Sequence, residues 1–297
     1  MGSPVARVIR VLLRHSGHAL LSMSERVPYW PGDLMERDGD WITYRVDATV
    51  WRLNTRQYVD SELFKHGVFE QNSTLWVRRL IKAGMHVMDI GANIGYYTVL
   101  LSQLVGPTGR VWAFEPSTRF RGRLLDHVRR NDCRNVVVLD FGLSDRNEIL
   151  QLFESGDTAT LHWCDERARP ENQEPISLMP LDQYAKDADL RHLDFIKVDI
   201  DGHEPKFLEG ADFTIRKFKP IMLLEFAQLY LPKVGSDAEK LARQIRALGY
   251  TLHSERTGRP FPTHTDFLIE AMNCAYSANI LCVPNGRSED LGLPYVE

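Results

Sequence analysis

The residues with the clearest capacity for chemistry lie in the stretch 197–205, which has the sequence KVDIDGHEP. Asp199 and Asp201 are two positions apart, so their side chains point to the same side of an extended chain. Glu225, which follows a second apolar run, supplies another acid. Packing so many like charges together is costly unless a cation lies among them, and Lys197 is a candidate for that cation.

Two functional interpretations of this cluster are compatible with the sequence. In the first, His203 or Asp199 removes a proton from an acceptor hydroxyl; histidine suits this step because its unperturbed pKa lies near neutrality. In the second, Asp199, Asp201 and Glu225 hold Mg²⁺, which would orient two substrate oxygens and lower the pKa of one. A structural alternative has Asp201 or Glu204 capping the next helix while Asp199 orders the loop.

A second candidate site is the glycine-containing stretch 89–95, with the sequence DIGANIG. Asp89 ends a predicted strand, and Gly91 and Gly95 permit a tight turn into a helix and the close approach of a ligand to backbone. Amides at the start of that helix can bind a carboxylate, such as that of a methionine moiety. Glu115, at the end of the next predicted strand, can accept hydrogen bonds from ribose hydroxyls. These features predict a site for S-adenosylmethionine (SAM).

A nicotinamide dinucleotide is the main alternative ligand for such a loop. Its fingerprint, G-x-G-x-x-G, would require glycine at positions 93 and 96. The chain has Asn93 and Tyr96 there, which obstruct the approach of a pyrophosphate. Asp89 also suits the positively charged amino group of SAM. The sequence therefore favours SAM over NAD, and a non-catalytic SAM-binding scaffold subunit stands as a further alternative.

Alternating strands and helices position these residues. Periodicity predicts strands over 87–90, 110–114, 136–139, 195–199, 221–224, 249–254 and 278–284, with helices from about 93, over 117–131 and over 236–248. This alternation indicates a mostly parallel sheet covered on both faces, with the ligand at the carboxyl ends of the strands. Upstream, the sequence predicts a helix over 1–27, a hairpin over 41–53 and a helical stretch over 58–83.

Composition and charge exclude several classes of protein. The chain of 297 residues is 43% hydrophobic and 26% charged, and its net charge of −4 gives no global attraction for nucleic acid. Four scattered cysteines without a CxxC pair fit a reducing compartment, so we expect a cytoplasmic protein. No apolar run approaches the roughly 20 residues that span a bilayer. The basic, apolar segment 5–14 predicts a packing or dimer helix; a peripheral membrane contact and a transit peptide are the alternatives.

The succession of motifs resembles the FkbM-type family of SAM-dependent O-methyltransferases. The resemblance covers roughly residues 67–285, and its most specific parts are the glycine loop and the stretch 197–204. One departure is visible, because the chain has Asp201 where the family usually has Glu. The motifs that carry the resemblance are GVFE (67–70), DIGANIGYYT (89–98), AFEP (113–116), LD (181–182), IKVDIDGHE (196–204), LEGA (208–211) and PIMLLE (220–225).

The resemblance implies an α/β, Rossmann-like class I SAM-dependent methyltransferase fold with an N-terminal helical and hairpin extension. The expected domains are an N-terminal cover over 1–83, a SAM-binding domain over 84–285 and a tail over 286–297. The expected acceptor is a hydroxyl of a sugar, a glycan or a glycosylated natural product. A homo-oligomer is compatible with the predicted dimer helix over 5–14. The implied cofactor-binding residues are Glu70, Asp89, Gly91, Asn93, Gly95, Tyr97, Thr98, Glu115, Asp140 and Phe141.

Overall fold

The computed structural model describes residues 32–156, 158–163, 169–261, 263, 267, 277–287 and 291. The predicted helix over 1–27 and the basic segment 5–14 lie outside these residues, so the membrane contact and the oligomer stay predictions. Within the described ranges, no helix is both long enough and apolar enough to cross a bilayer.

The strands form three sheets. Along the chain they are β1 (Asp33–Asp38), β2 (Trp41–Val46), β3 (Thr49–Asn54), β4 (His86–Ile90), β5 (Arg110–Phe114), β6 (Val136–Leu139), β7 (Gly142–Leu143), β8 (Glu148–Ser155), β9 (Thr158–Thr160), β10 (Asn172–Met179), β11 (Phe195–Val198), β12 (Ile221–Phe226), β13 (Tyr250–Ser254) and β14 (Ala278–Pro284). The predicted strands of the α/β region and the predicted hairpin are confirmed, with ends shifted by one or two residues.

The helices lie mainly between the strands of the central sheet. They are α1 (Tyr58–His66), α2 (Gln71–Leu80), α3 (Tyr96–Val105), α4 (Thr118–Arg130), α5 (Leu181–Asp187), α6 (Glu204–Gly210), α7 (Asp212–Phe218) and α8 (Ala238–Ala247), with a 3₁₀ turn at Leu231–Val234.

The central sheet has seven strands in the order β13-β14-β12-β11-β4-β5-β6. Strands β4, β5, β6, β11 and β12 are parallel, and β14 is antiparallel to both of its neighbours. The order turns back between β4 and β11, which both lie at the centre. A crevice forms at such a reversal, outside the carboxyl ends of the strands.

Two hydrophobic cores cover the two faces of this sheet. Met88, Ile196 and Leu224 belong to one core, while their neighbours in sequence Val87, Phe195 and Leu223 belong to the other. Because successive side chains of a strand point to opposite faces, a strand that is buried on both faces is continuously apolar. This requirement explains why the central strands lack the polar alternation of a surface sheet.

The prediction of one continuous helical stretch over 58–83 is wrong, because residues 67–70 interrupt the helix between α1 and α2. Gly67 adopts a left-handed conformation with φ +68° and caps α1 by donating its N–H to the Leu63 carbonyl. Glu70 then takes φ +44° directly before α2. The break places the Glu70 carboxyl at the crevice, where a continuous helix would not put it.

The N-terminal elements are joined to the central domain by a buried ion pair between α1 and α4. The two terminal nitrogens of Arg123 donate to the two carboxylate oxygens of Asp60 at 2.6 and 2.9 Å. The Asp60 side chain is fully buried and that of Arg123 is 12% exposed. Removing one partner of such a pair leaves an uncompensated buried charge.

We therefore expect Asp60→Ala to lower the free energy of unfolding by about 3–5 kcal/mol. Urea denaturation followed by circular dichroism measures this loss. The matched control is Asp126→Ala, which removes an acid that pairs with Arg130 on the partly exposed face of α4, and it should cost no more than about 1 kcal/mol. Equal losses in the two variants would show that the buried pair has no special role.

Candidate active site

The central strands bring most of the predicted residues to one edge of the sheet. Asp89 lies at the end of β4, Glu225 lies at the end of β12, and Glu115, Asp140 and Asp199 directly follow β5, β6 and β11. Parallel strands present their carboxyl ends together, so acids that are far apart in sequence become neighbours. These acids therefore lie at the edge of the sheet where the sequence predicts the ligand.

The glycine loop packs directly against the chain that leaves β11. Gly91 has φ +80°, and a Cβ added there would lie 1.8 Å from the Asp199 carbonyl oxygen. Gly95 has φ +91°, and its Cβ would lie 2.4 Å from a methyl carbon of Leu124. Both positions require glycine because no side chain fits the space or the backbone conformation. The loop and Asp199 thus share one crevice.

Asp89 and Thr98 form a buried pair beneath this loop. The Thr98 hydroxyl donates to Asp89 Oδ2 at 2.5 Å, and both side chains are buried. Burial raises the pKa of Asp89 to about 6, although the Thr98 hydrogen bond and the Lys197 charge oppose this shift. The pair fixes the start of α3 relative to β4, and Asp89 is ionised at neutral pH.

Glu115 fastens the glycine loop to the end of β5. Its Oε2 accepts the backbone N–H of Asn93 at 2.7 Å, and its Oε1 accepts that of Ser117 at 2.8 Å. Burial raises the pKa of Glu115 to about 7, which these two hydrogen bonds only partly offset. A carboxylate in this position both holds the loop and has further lone pairs for ribose hydroxyls.

Two aromatic residues accompany the predicted adenine contacts after β6. Asp140 is exposed, while the Phe141 ring packs edge-on against Phe114 with their centroids 5.6 Å apart. Tyr184 lies 5.9 Å from the Phe141 ring. The assignment of Asp140 and Phe141 to adenine stays a prediction.

A buried ammonium group organises the acids at the centre of the crevice. Lys197 Nζ lies 2.7 Å from Asp199 Oδ2 and 4.0 Å from Glu70 Oε2. It also lies 5.0 Å from the centre of the Tyr97 ring. Only 1% of the Lys197 side chain is exposed, compared with 31% for Asp199 and 23% for Glu70. Lys197 is therefore the floor of the crevice, and the two carboxylates form its surface.

The charges of the neighbouring acids are unequal. Burial opposes ionisation of Asp199, but the Lys197 charge and the hydrogen bonds from Glu225 and Lys197 together outweigh it, and the pKa of Asp199 lies below its usual range. Burial, with the charge of Asp199, raises the pKa of Glu225 well above its usual range, and the two carboxyls are hydrogen-bonded to each other. Burial and Asp199 also raise the pKa of Asp201 to about 7. Asp199 is therefore ionised at neutral pH, whereas Glu225 is protonated.

The predicted Mg²⁺ site of Asp199, Asp201 and Glu225 does not fit this arrangement. Among the described residues, no group of three or more His, Cys, Asp or Glu side chains is placed to hold a metal ion. Lys197 already neutralises Asp199, and Glu225 shares a proton with it. Mg²⁺ is therefore not supported at these residues, and the sequence could not show this because it reveals the acids but not the ammonium group packed between them.

The structure separates His203 from the acids with which the sequence groups it. His203 Nε2 lies 2.9 Å from Ser144 Oγ, and Nδ1 lies 3.3 Å from His162 Nε2. Burial, with a smaller contribution from His162, lowers the pKa of His203 to about 4. The histidine faces the chain that follows β7 and β9, so the geometry favours Asp199 as the base, and the role of His203 stays a prediction.

Glu204 orders the loop that carries Asp201. Its Oε1 accepts the backbone N–H groups of Ile200 and Gly202 at 3.2 and 3.3 Å. Asp201 itself has a left-handed φ of +49°. The capping alternative raised by the sequence does not hold for Glu204, because it binds amides of the preceding loop and the start of α6 has no side-chain cap.

Sequence reasoning missed Asn279, which lies on β14 opposite Glu225. Its Nδ2 donates to Glu70 Oε1 at 2.9 Å, and the Tyr97 hydroxyl donates to Glu70 Oε2 at 2.7 Å. These two bonds hold the Glu70 carboxylate over Lys197. No sequence motif marks Asn279, because its importance comes only from the pairing of β14 with β12.

Comparison with known proteins gives a family and several partial relatives. Residues 89–252 match the model of the methyltransferase FkbM domain. The 2-O-methyltransferase NoeI of Sinorhizobium fredii is 27% identical over 174 residues, which are 52% of this chain and 70% of NoeI. A probable cobalt-precorrin-6B C(15)-methyltransferase (decarboxylating) of Thermoplasma acidophilum is 35% identical over 96 residues, 29% of this chain and 45% of that protein.

Two further similarities are weaker: one covers a small part of the relative, and the other is a structural similarity with a low TM-score. The AMB antimetabolite synthetase AmbE of Pseudomonas aeruginosa is 27% identical over 209 residues, 58% of this chain but 10% of AmbE. The chain thus spans a tenth of AmbE and under half of the precorrin methyltransferase. The crystal structure of methyltransferase FkbM from Methylobacillus flagellatus has 18% identity and a TM-score of 0.43, with 78% of this chain and 48% of that chain covered.

The sheet order, the glycine loop and the acids at the strand ends define a class I SAM-dependent methyltransferase. The chain belongs to the FkbM methyltransferase family. The expected fold class and family resemblance are confirmed, and membership of this family favours SAM over NAD as the ligand.

We expect Glu115→Ala to weaken binding of S-adenosylhomocysteine (SAH) by about tenfold or more, because it removes both loop hydrogen bonds and the ribose acceptor. Glu115→Gln keeps one acceptor oxygen, so its affinity for SAH should lie between those of Glu115→Ala and the parent chain. Calorimetric titration measures the affinities, and Glu171→Ala, at a carboxylate that is 62% exposed, serves as the control.

Because the pKa of Glu115 is raised to about 7, the affinity for SAH should fall below pH 7 in the parent chain and vary less in Glu115→Gln. Unchanged affinity in Glu115→Ala would remove the residue from the site.

His203 should also make stability depend on pH. Its pKa is lowered to about 4 in the folded chain, against about 6.5 when unfolded. Between these values the unfolded chain binds the proton more readily, so stability falls as the pH drops through 6.5. We expect His203→Gln to lose less stability than the parent chain between pH 7 and pH 4.5, as measured by thermal unfolding. Identical pH profiles would show that the histidine is not buried in a neutral form.

Proposed function

We propose that this methyltransferase transfers the SAM methyl group to a hydroxyl oxygen of a sugar, a glycan or a glycosylated natural product. The observation that carries this proposal is Asp199, an ionised carboxylate at the crevice surface, 2.7 Å from the buried Lys197 ammonium. A hydroxyl must lose its proton as it is methylated, so an acceptor of this kind needs a base within hydrogen-bond reach. Asp199 is the partly exposed acid best placed to accept that proton.

The bound cofactor supplies an electrophilic methyl group on a sulfonium. Among the protein groups, Gly91, Asn93, Gly95 and the start of α3 would hold its methionine end, and Glu115 its ribose. The acceptor oxygen would form the new C–O bond as the C–S bond breaks, the bonding electrons would go to sulfur, and Asp199 would accept the hydroxyl proton. Holding the reacting groups in line provides much of the acceleration, because it replaces a random encounter with a fixed geometry.

Lys197 sets the state of this base without contacting the acceptor. With 1% of its side chain exposed, it acts only through Asp199 and Glu70. An ammonium at this distance keeps Asp199 ionised even where burial would favour the neutral acid. Glu225, protonated beside Asp199, donates a hydrogen bond to that carboxylate. Of the two hydrogen-bonded acids, Asp199 is therefore the one that offers a charged carboxylate to the crevice.

The choice of a hydroxyl acceptor is supported by a relative and by the family. NoeI, which is 27% identical over 174 residues, is named a 2-O-methyltransferase. The resemblance to FkbM-type enzymes adds sugars, glycolipids, polysaccharides and natural-product scaffolds as acceptor classes. Because the crevice edge is polar, with Glu70 and Asp199 exposed to it, it suits a hydroxylated acceptor better than an apolar one.

Methyl transfer from radiolabelled SAM to a panel of methyl glycosides and oligosaccharides tests this function, with the methylated position read by mass spectrometry. We expect O-methylated products. Asp199→Asn should lower turnover by about a hundredfold or more while SAH binding is retained, since general-base catalysis contributes about 10²–10⁴. His203→Ala should leave SAH binding intact and lower turnover less. Methylation of nitrogen or carbon would overturn the hydroxyl acceptor, and full turnover in Asp199→Asn would overturn the base.

A further inference from the structure

Lys197, Asp199 and Glu70 form a triad whose charges do not cancel. The triad holds one ammonium and two carboxylates, so its formal charge is −1 when both acids are ionised. Among the described residues, Lys197 is the only Lys or Arg whose side chain is buried. No second buried cation in the described part of the chain balances the second carboxylate.

We propose that this triad is the counter-charge of the sulfonium and makes the enzyme select the cationic donor SAM over its neutral product SAH. The sulfonium adds one positive charge, so the formal charge of the triad and the sulfonium together becomes zero. When the methyl group leaves, the sulfur becomes neutral and this attraction is lost. The triad therefore favours donor binding before transfer and product release afterwards.

The exposure of the three side chains supports this assignment. The carboxylates of Glu70 and Asp199 are 23% and 31% exposed, so both line the open side of the crevice. Lys197 lies beneath them and is out of reach of a ligand. A cation that enters the crevice thus meets the two acids and not the ammonium, and charges interact strongly where water is partly excluded.

The triad also adjoins the loop that holds the methionine end of the cofactor. The Asp199 carbonyl fills the space beside Gly91. Tyr97, in the first turn of α3, donates its hydroxyl to Glu70 at 2.7 Å. The triad is consequently on the methionine side of the site, away from the aromatic cluster that follows β6.

A separate observation at the same place points to a ligand. Asn279 lies on β14 beside Glu225, and its side-chain oxygen Oδ1 is buried without a hydrogen-bond partner among the described residues. A buried polar atom without a partner is costly, and native structures rarely keep one without a compensating group. This oxygen accepts hydrogen bonds, so it favours a donor or a positive charge.

Neighbouring groups do not cancel the charge of the triad. From β4, Asp89 adds a further negative charge at neutral pH, since its pKa is about 6. Asp201, with a pKa of about 7, and Glu204, with a pKa of about 8, contribute a partial charge or none. Glu225 is protonated, and the raised pKa of Tyr97 keeps its hydroxyl neutral. The crevice therefore stays anionic before the cofactor binds.

Calorimetric titration of the full chain with SAM, SAH and sinefungin tests the proposal without any acceptor. Sinefungin carries an amine near the sulfonium position and is the second cationic probe. We expect SAM and sinefungin to bind at least about fivefold more tightly than SAH. Glu70→Gln and Asp199→Asn should each bring the SAM-to-SAH affinity ratio close to one, while SAH affinity changes by less than about threefold.

Glu209→Gln is the matched control, because it removes one negative charge from an exposed face of α6. It should leave the ratio unchanged, and the ratio of the parent chain should persist at high salt, since buried charges are screened little. Thermal unfolding and SAH binding verify that each variant is folded, and Glu70→Gln alone suffices if Asp199→Asn is unstable. Equal binding of SAM and SAH by the parent chain would overturn the proposal. A preference that survives in both variants would overturn it as well.

Discussion

The ion pair between Lys197 and Asp199 is the interaction on which the rest of the site depends. A buried ammonium is costly unless acids surround it, and buried acids are costly unless a cation lies among them. The 2.7 Å contact satisfies both needs at once. It also fixes which of the neighbouring carboxyls is charged, because Asp199 keeps its charge while Glu225 holds a proton. Because the Lys197 ammonium already neutralises Asp199, the acids at this place do not need a metal ion to balance their charge.

The pair gains its position from elements that are distant in sequence. Glu70 arrives from the break between α1 and α2, Tyr97 from α3, and Asn279 from β14, yet hydrogen bonds of 2.7 and 2.9 Å join them at one carboxylate. The N-terminal elements therefore complete the crevice as well as covering the sheet. Their attachment through Asp60 and Arg123 links the stability of the N-terminal region to the geometry of the site.

The residues of the KVDIDGHEP motif form two groups, one that lines the crevice and one that contacts the surrounding loops. Lys197 and Asp199 face the crevice, whereas Glu204 binds the amides of its own loop and His203 contacts Ser144 and His162. The sharp turn at Asp201, with φ +49°, separates the two groups. A compact sequence motif is thus shared between chemistry and the support of the loop.

The sequence by itself determined the fold class, the strand ends and the glycine loop, because hydrophobic periodicity and glycine spacing are local properties of the chain. Asp89, Glu115 and Asp199 could be placed at the crevice for the same reason: each ends a predicted strand. Only the tertiary structure decided the charge balance. The contact of Lys197 with Glu70 and the support that Asn279 gives to Glu70 depend on strand pairing and on the helix break at Gly67. His203 is buried against Ser144 and His162, away from the acids of the crevice, and this depends on tertiary packing that a local sequence pattern does not show.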